Sequence, residues 1–146
     1  MARPRLDLAD YLPYLINRVG SALVARFTAD ALARHGLTIA TWRVLVTLSQ
    51  MGPLRQIDLA DHTTIEVSTL SRLVTRLARA GLVTRARSRN SNREVTVRVT
   101  PKAEALLAEL IPIARRLERT AIAGLSAAEL RVAKESLRRI HRNLAG

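Results

Sequence analysis

No cysteine occurs in the sequence. That excludes disulfides, thiolate zinc sites, iron–sulfur clusters and thiol redox sensing together. The three histidines, His35, His62 and His141, lie far apart, and none stands at metal-ligand spacing from another. Aromatic residues are also scarce: one Phe, two Tyr and one Trp, all before residue 43. A single-strand nucleic-acid binder stacks bases on such side chains, so this chain is poorly equipped for that task. There is no glycine-rich phosphate loop, nucleophile elbow or HExxH, and nothing else from which an enzyme would be built. No apolar run approaches the roughly 20 residues of a membrane span. The charged start, MARPRLDLADYL, is not followed by a long apolar region. A cytosolic protein is expected, with no metal, cofactor or membrane partner.

The chain is mostly built from Leu, Ala and Val: 48% of the 146 residues are apolar and 25% charged. That length suits one domain, or one domain with a dimerisation extension, and suffices to bury a core. Aliphatic content without sheet-forming aromatics predicts a helix-rich fold. The net charge of +12 is unevenly placed. Residues 1–66 carry seven basic and six acidic side chains, residues 67–98 eight arginines against Glu94 alone, and residues 99–146 nine basic and five acidic. A generally basic surface would spread the excess. Its concentration in one short segment points to a polyanion-binding face.

That segment follows from EVSTLSRLVTRLARAGLV, residues 66–83. At helical pitch Val67, Leu70, Leu73, Val74, Leu77 and Ala78 fall on one side, and Ser68, Arg72, Thr75, Arg76 and Arg79 on the other. From Val67 to Ala80 no acid balances the polar side. Past Gly81 the period becomes two. Val95, Val97 and Val99 alternate with Thr96, Arg98 and Thr100, which predicts a strand paired with 82–87 across the turn-forming SRNSN. Upstream, Asp10 is the expected N-cap of a long helix lined by Leu12, Leu15, Ile16, Val19, Leu23 and Phe27 and stopped at Gly36. Thr38 caps a second helix that Gly52 and Pro53 end. A short third helix, about 55–63, is expected to turn Ile57, Leu59 and Ala60 inward. Thr100 and Pro101 open a helix running to about Ile122 and expected to kink near Pro112. Ser126 and Glu129 form a capping box for the last helix, to about Asn143.

This order predicts a mainly α fold with a small β-hairpin wing. A winged helix-turn-helix spans 37–100 and is flanked by N- and C-terminal dimerisation helices, 8–36 and 101–146. Leu106, Leu107, Leu110, Ile111, Ile113 and Leu117 are expected to need a partner surface, most simply a second copy about a two-fold axis. Arg26, Asp30 and Arg34 extend the stripe of the first helix at four-residue spacing. They are expected to form an exposed ladder, the alternative being an ionic contact across the dimer.

In a helix-turn-helix the second helix enters the major groove with its N-terminal polar residues toward base edges. Ser68, Thr69, Ser71 and Thr75 would bond phosphates or bases there. Arg72 and Arg76, one turn apart, would reach guanine bidentately or clamp a phosphate. Arg89 and Arg93, at the wing tip, are placed to enter the adjacent minor groove. Arg87 is also assigned to DNA, and Arg85 and Arg98 lie nearer the wing base, toward the phosphate backbone. Two further readings stay open: a regulator without an effector, or an activator; and a sequence-neutral architectural or RNA-binding protein held by electrostatics alone.

With these residues placed, the chain resembles the MarR family of bacterial winged-helix regulators over nearly its whole length. The matching stretches are LTIATWRVLVTLSQMGPLR, STLSRLVTRLARAGLVTR and, after the wing, VRVTPKAEALL. The resemblance implies an obligate homodimer on a palindromic double-stranded DNA operator in the bacterial cytosol, usually as a repressor. It places major-groove contacts on Ser68, Thr69, Ser71, Arg72 and Arg76, and the minor-groove contact on Arg93. Two positions depart from the pattern. Ser91 stands where the wing usually carries a bracing Asp. Arg55 replaces a common capping Ser or Thr and is assigned to a phosphate. The resemblance also implies a small effector, often an anionic phenolic, bound between the DNA-binding and dimerisation parts and disfavouring the dimer that fits DNA. Tyr14, Arg18, Trp42 and Arg43, with His35, offer aromatic wall and positive charge for an aromatic carboxylate or its coenzyme A thioester. The competing assignment makes Trp42 core, Tyr14 surface, and Arg18 and Arg43 ordinary solvated or interface arginines.

Overall fold

The computed structural model describes residues 1–88 and 91–146, and the side chains of all these except 88 and 91–93. The first helix, α1 (Leu12–Phe27), continues through a wide turn, Thr28–Leu32, and a tight one, Ala33–His35. It stops at Gly36, whose φ of 66° is left-handed backbone that glycine adopts without penalty. Asp10 does not cap this helix. Tyr11 holds the capping position without a side-chain bond, and Asp7 caps a separate short turn, Leu8–Asp10, by accepting from the Ala9 N–H. Pro13 in the first turn has no N–H, which removes one of the donors a cap would satisfy.

Thr38 caps α2 (Ile39–Met51) as expected, in a reciprocal pair with Thr41, and Gly52 follows at φ 82°. Then come α3 (Gln56–Thr63), α4 (Val67–Arg79), β2 (Val83–Ser88) and β3 (Ser91–Val99). The expected hairpin is completed by β1 (Leu54–Arg55), giving an antiparallel sheet in the order β1-β3-β2. Leu54 pairs with Val97 and Arg55 with Thr96. Two residues are too few to show a period, so this strand leaves no mark in the sequence. α5 (Pro101–Ala121) starts at the Thr100 cap and contains Pro112; α6 (Ala127–Ala145) starts at the Ser126–Glu129 capping box.

The core lies under α4, where Leu45, Leu48, Leu59, Leu70, Val74, Val97, Leu107 and Leu110 are all buried in one cluster. Two inward assignments fail. Ile57 is 62% exposed and Val67 50% exposed. In α3 the inward face goes to Leu59, Ala60 and Thr63, whose hydroxyl donates to the Leu59 carbonyl at 2.6 Å and so needs no water. Leu107 and Leu110 are also reassigned. They are buried within their own chain and need no second copy, while Leu106, Ile111, Ile113 and Leu117 are half-buried against the same cluster.

The apolar side chains without cover are elsewhere. Leu12, Leu15, Ile16, Val19 and Leu23 on α1 are 36–59% exposed, and every side chain of α6 is half-buried or exposed. Within one chain Arg26 and Asp30 pair at 3.5 Å on the surface, and Arg34 donates to the Asp30 backbone carbonyl at 2.9 Å. Among the described residues no helix is long and apolar enough to cross a membrane. Leu107→Ala is expected to cost about 2–5 kcal/mol in urea unfolding, as for a buried leucine. Ile57→Ala should change stability by no more than about 0.5 kcal/mol.

Candidate nucleic-acid interface

α4 divides as its sequence pattern requires. Leu70, Leu73, Val74 and Leu77 are buried, and Arg72, Arg76 and Arg79 are exposed. These arginines line one open, concave strip with the half-buried Ser71 and Thr75. With Arg72 and Arg76 one turn apart on the solvent side, two guanidinium forks point outward from a rigid element.

At the N-terminal end of α4 the structure adds a residue that the acid-free run beginning at Val67 passes over. Ser68 Oγ donates to Glu66 Oε1 at 2.5 Å, and Thr69 Oγ1 lies at a longer 3.5 Å from Oε2. Glu66 holds the capping position, yet its side chain makes no bond to a helix N–H. A carboxylate beside a helix N-terminus is favoured by the macrodipole, which was the available signal in the sequence.

The wing is fastened from both sides. In β2, Arg85 is paired with the buried Val97 of β3, and directly paired residues share one face of a sheet. Arg85 therefore turns toward the helices, where Nη2 donates to the Ser71 carbonyl at 2.9 Å and to the Thr75 hydroxyl. The Thr75 hydroxyl donates to the Ser71 carbonyl at 3.0 Å, so its hydrogen-bonding capacity is directed inward. On the other side, Arg55 meets two carboxylates: Asp58 at 2.8 and 3.3 Å, and Glu94 of β3 at 3.3 Å. Arg55 thus joins the start of α3 to the wing. The hydrogen bond from Arg55, with the charges of Arg55 and His62, holds the Asp58 carboxyl below its ordinary value against an opposing desolvation. The hydrogen bonds and charges of Asp58 and Glu94 push the guanidinium of Arg55 up.

Among the remaining DNA-assigned residues, Arg87 is exposed on β2. Arg89 lies outside the described residues, and Arg93 stands in β3 with its side chain outside the description. The effector-assigned residues fall into separate groups. Arg18 stacks over Tyr14 at 5.7 Å on α1, and His35 lies 3.8 Å from Glu109 of α5. Arg43 is exposed on α2. Trp42 packs edge-on against Phe27 at 4.8 Å and lines an open groove of ≈ 500 Å³ between α2 and α5. The apolar wall of that groove is Trp42, Val46, Ile111 and Ala114, and Ser49, Gln50, Arg115 and Glu118 supply its polar groups.

Comparison with known proteins places this architecture. A sequence profile of the MarR family matches residues 37–95. A helix-turn-helix-type transcriptional repressor of Mycobacterium tuberculosis is 31% identical over 137 residues, which are 92% of this chain and 98% of the relative. A MarR-family transcriptional regulator of Silicibacter pomeroyi superposes with a TM-score of 0.85 at 29% identity, over 96% of both chains. BpsR of Bordetella bronchiseptica, whose DNA binding is regulated by 6-hydroxynicotinic acid, superposes with a TM-score of 0.80 at 26% identity, over 89% of this chain and 98% of that one.

The Arg55 junction sets a sign for pH dependence. The Asp58 carboxyl has a lower pKa in the folded protein than in the unfolded chain. The ion pair therefore stabilises at pH above the unfolded value, about 3.9, and its contribution is lost as pH falls through the folded value. An NMR titration should find Asp58 below the ordinary carboxylate range, and Arg55→Ala should return it there.

Proposed function

The chain belongs to the MarR family of transcriptional regulators, and from that premise we propose a dimeric repressor that a small anionic aromatic ligand releases from a palindromic operator. The observation that carries this reading is the outer face of α4, where Arg72 and Arg76 stand exposed on a helix fixed by buried leucines and valines. In that geometry α4 enters the major groove, with Ser68, Thr69 and Ser71 toward the bases at its leading end and Arg72 and Arg76 reaching guanine or phosphate. Arg87, Arg89 and Arg93 extend the contact along the wing. Thr75 and Arg55 support the interface from behind, because their polar groups are engaged within the protein.

A dimer is supported by the uncovered apolar faces of α1 and α6, which a second copy would bury about a two-fold axis. Two α4 helices must then sit about 34 Å apart to meet successive major grooves. A ligand that prefers another spacing lowers DNA affinity by mass action. The aromatic-acid class is supported by the regulation of BpsR by 6-hydroxynicotinic acid and by the groove beside Trp42 and Arg115. Tyr14, Arg18, His35 and Arg43 belong to this proposal as the groups a dimer would bring to the same ligand. The protein works in the bacterial cytosol and catalyses no reaction.

Fluorescence anisotropy tests the central reading. DNA from upstream of the protein's own gene should bind far more tightly than shuffled DNA at equal salt; equal affinities and a steep salt slope would favour sequence-neutral binding instead. Arg72→Ala should lose about 1–3 kcal/mol on the operator and much less on random DNA. Val19→Asp, on the uncovered face of α1, should sediment as a monomer and lose operator binding with its helical circular dichroism retained. Trp42 is the sole tryptophan, so an aromatic acid that releases DNA should also change its fluorescence.

A further inference from the structure

Glu66 sets an acid at the leading edge of a face that is otherwise arginine and hydroxyl. A capping acid would spend its oxygens on helix N–H groups, but this side chain makes no such bond. Instead it accepts a hydrogen bond from the Ser68 hydroxyl at 2.5 Å and lies within long reach of Thr69 Oγ1 at 3.5 Å. A hydroxyl has one proton to donate and two lone pairs. Once the proton is committed to a carboxylate, the oxygen can only accept. On their exposed side chains Glu66 and Ser68, in the leading turn, therefore present acceptors. Beside them stands Val67, 50% exposed.

We infer that this leading turn selects an amino-bearing base, adenine or cytosine, and rejects guanine, with Glu66 as the specificity-determining residue. The inference rests on the DNA-binding reading above. In the major groove, adenine N6 and cytosine N4 donate, whereas guanine shows only the acceptors N7 and O6. Guanine opposite this turn sets lone pairs against a carboxylate and leaves both sides unpaired. Thymine offers only an acceptor and its methyl group. Val67 supplies apolar surface for the methyl of the thymine that pairs with a selected adenine, which makes an A·T pair the best fit. Arg72 and Arg76, one and two turns further along, carry only donors and so have the opposite preference, for guanine, where they reach a base. One helix thus carries two chemically opposed readers in series, which orients it along the half-site. The same carboxylate repels phosphates. It weakens binding to any DNA on which the base contact is not made, and so widens the gap between specific and non-specific affinity.

Selection from a randomised DNA library by the full-length protein tests this, with Glu66→Gln and Glu66→Ala alongside. The wild-type protein should select half-sites in which one position excludes guanine by about tenfold, the scale of a single mismatched pair. Glu66→Gln, whose amide donates as well as accepts, should admit guanine there, gaining about tenfold on that base and leaving the other positions unchanged. Both variants should bind random DNA more tightly than the wild type, with unchanged circular dichroism. If the wild-type protein selects a site but Glu66→Gln keeps the same preference at every position, this inference is overturned and the regulator reading stands. If the wild-type protein selects no sequence at all, the regulator reading falls and takes the inference with it.

Discussion

The burial of Leu70, Val74 and Leu77 fixes the rotation of α4, and the rest of the interface depends on that rotation. Each such side chain contributes about 1.5–3 kcal/mol when removed from water. Turning the helix by one residue would expose this set and drive arginines toward an apolar cluster, where an unpaired charge is far more costly. The end of the helix is secured with equal definition. Leu82 N–H donates to the Leu77 carbonyl at 2.9 Å, and Lys102 of α5 donates to the Ala80 carbonyl at 2.8 Å. A cation at a helix C-terminus complements the macrodipole there. The outward presentation of Arg72 and Arg76 is thus a product of core packing.

The basic segment does two kinds of work. Arg85, counted from sequence as part of a DNA-facing excess, belongs to the sheet face that meets α4 and clamps Ser71 and Thr75. Arg55 holds the opposite edge through Asp58 and Glu94. These pairs are partly exposed, so each is worth little as bulk stability. Their value is geometric, because they join a sheet too small to stand alone to the helix beside it. The sheet is thus tied to α4 through Arg85 and to α3 through Arg55.

Much of this was legible in the sequence because it rests on short-range rules. The Thr38 and Ser126 caps, the Gly36 and Gly52 stops and the alternating valines of β3 are each written within a few residues. What escaped depends on long-range competition. Ile57 reads as inward until the packing of α3 turns Leu59, Ala60 and Thr63 to the core, and Leu107 reads as an interface residue until α5 is laid across the core. β1 has no pattern to read. The acceptor role of Glu66 and the inward turn of Arg85 follow from register and rotamer, which no linear pattern encodes. The basic stretch identified the surface without separating side chains that face outward from those that hold the surface together.

α6 has nineteen residues and a complete capping box, yet every side chain remains at least partly open to water within one chain. In proteins most of a helix's stability comes from packing its apolar face rather than from propensity. Its order is therefore borrowed from whatever covers it, and a chain left uncovered would present a fraying, basic, leucine-bearing segment to proteases.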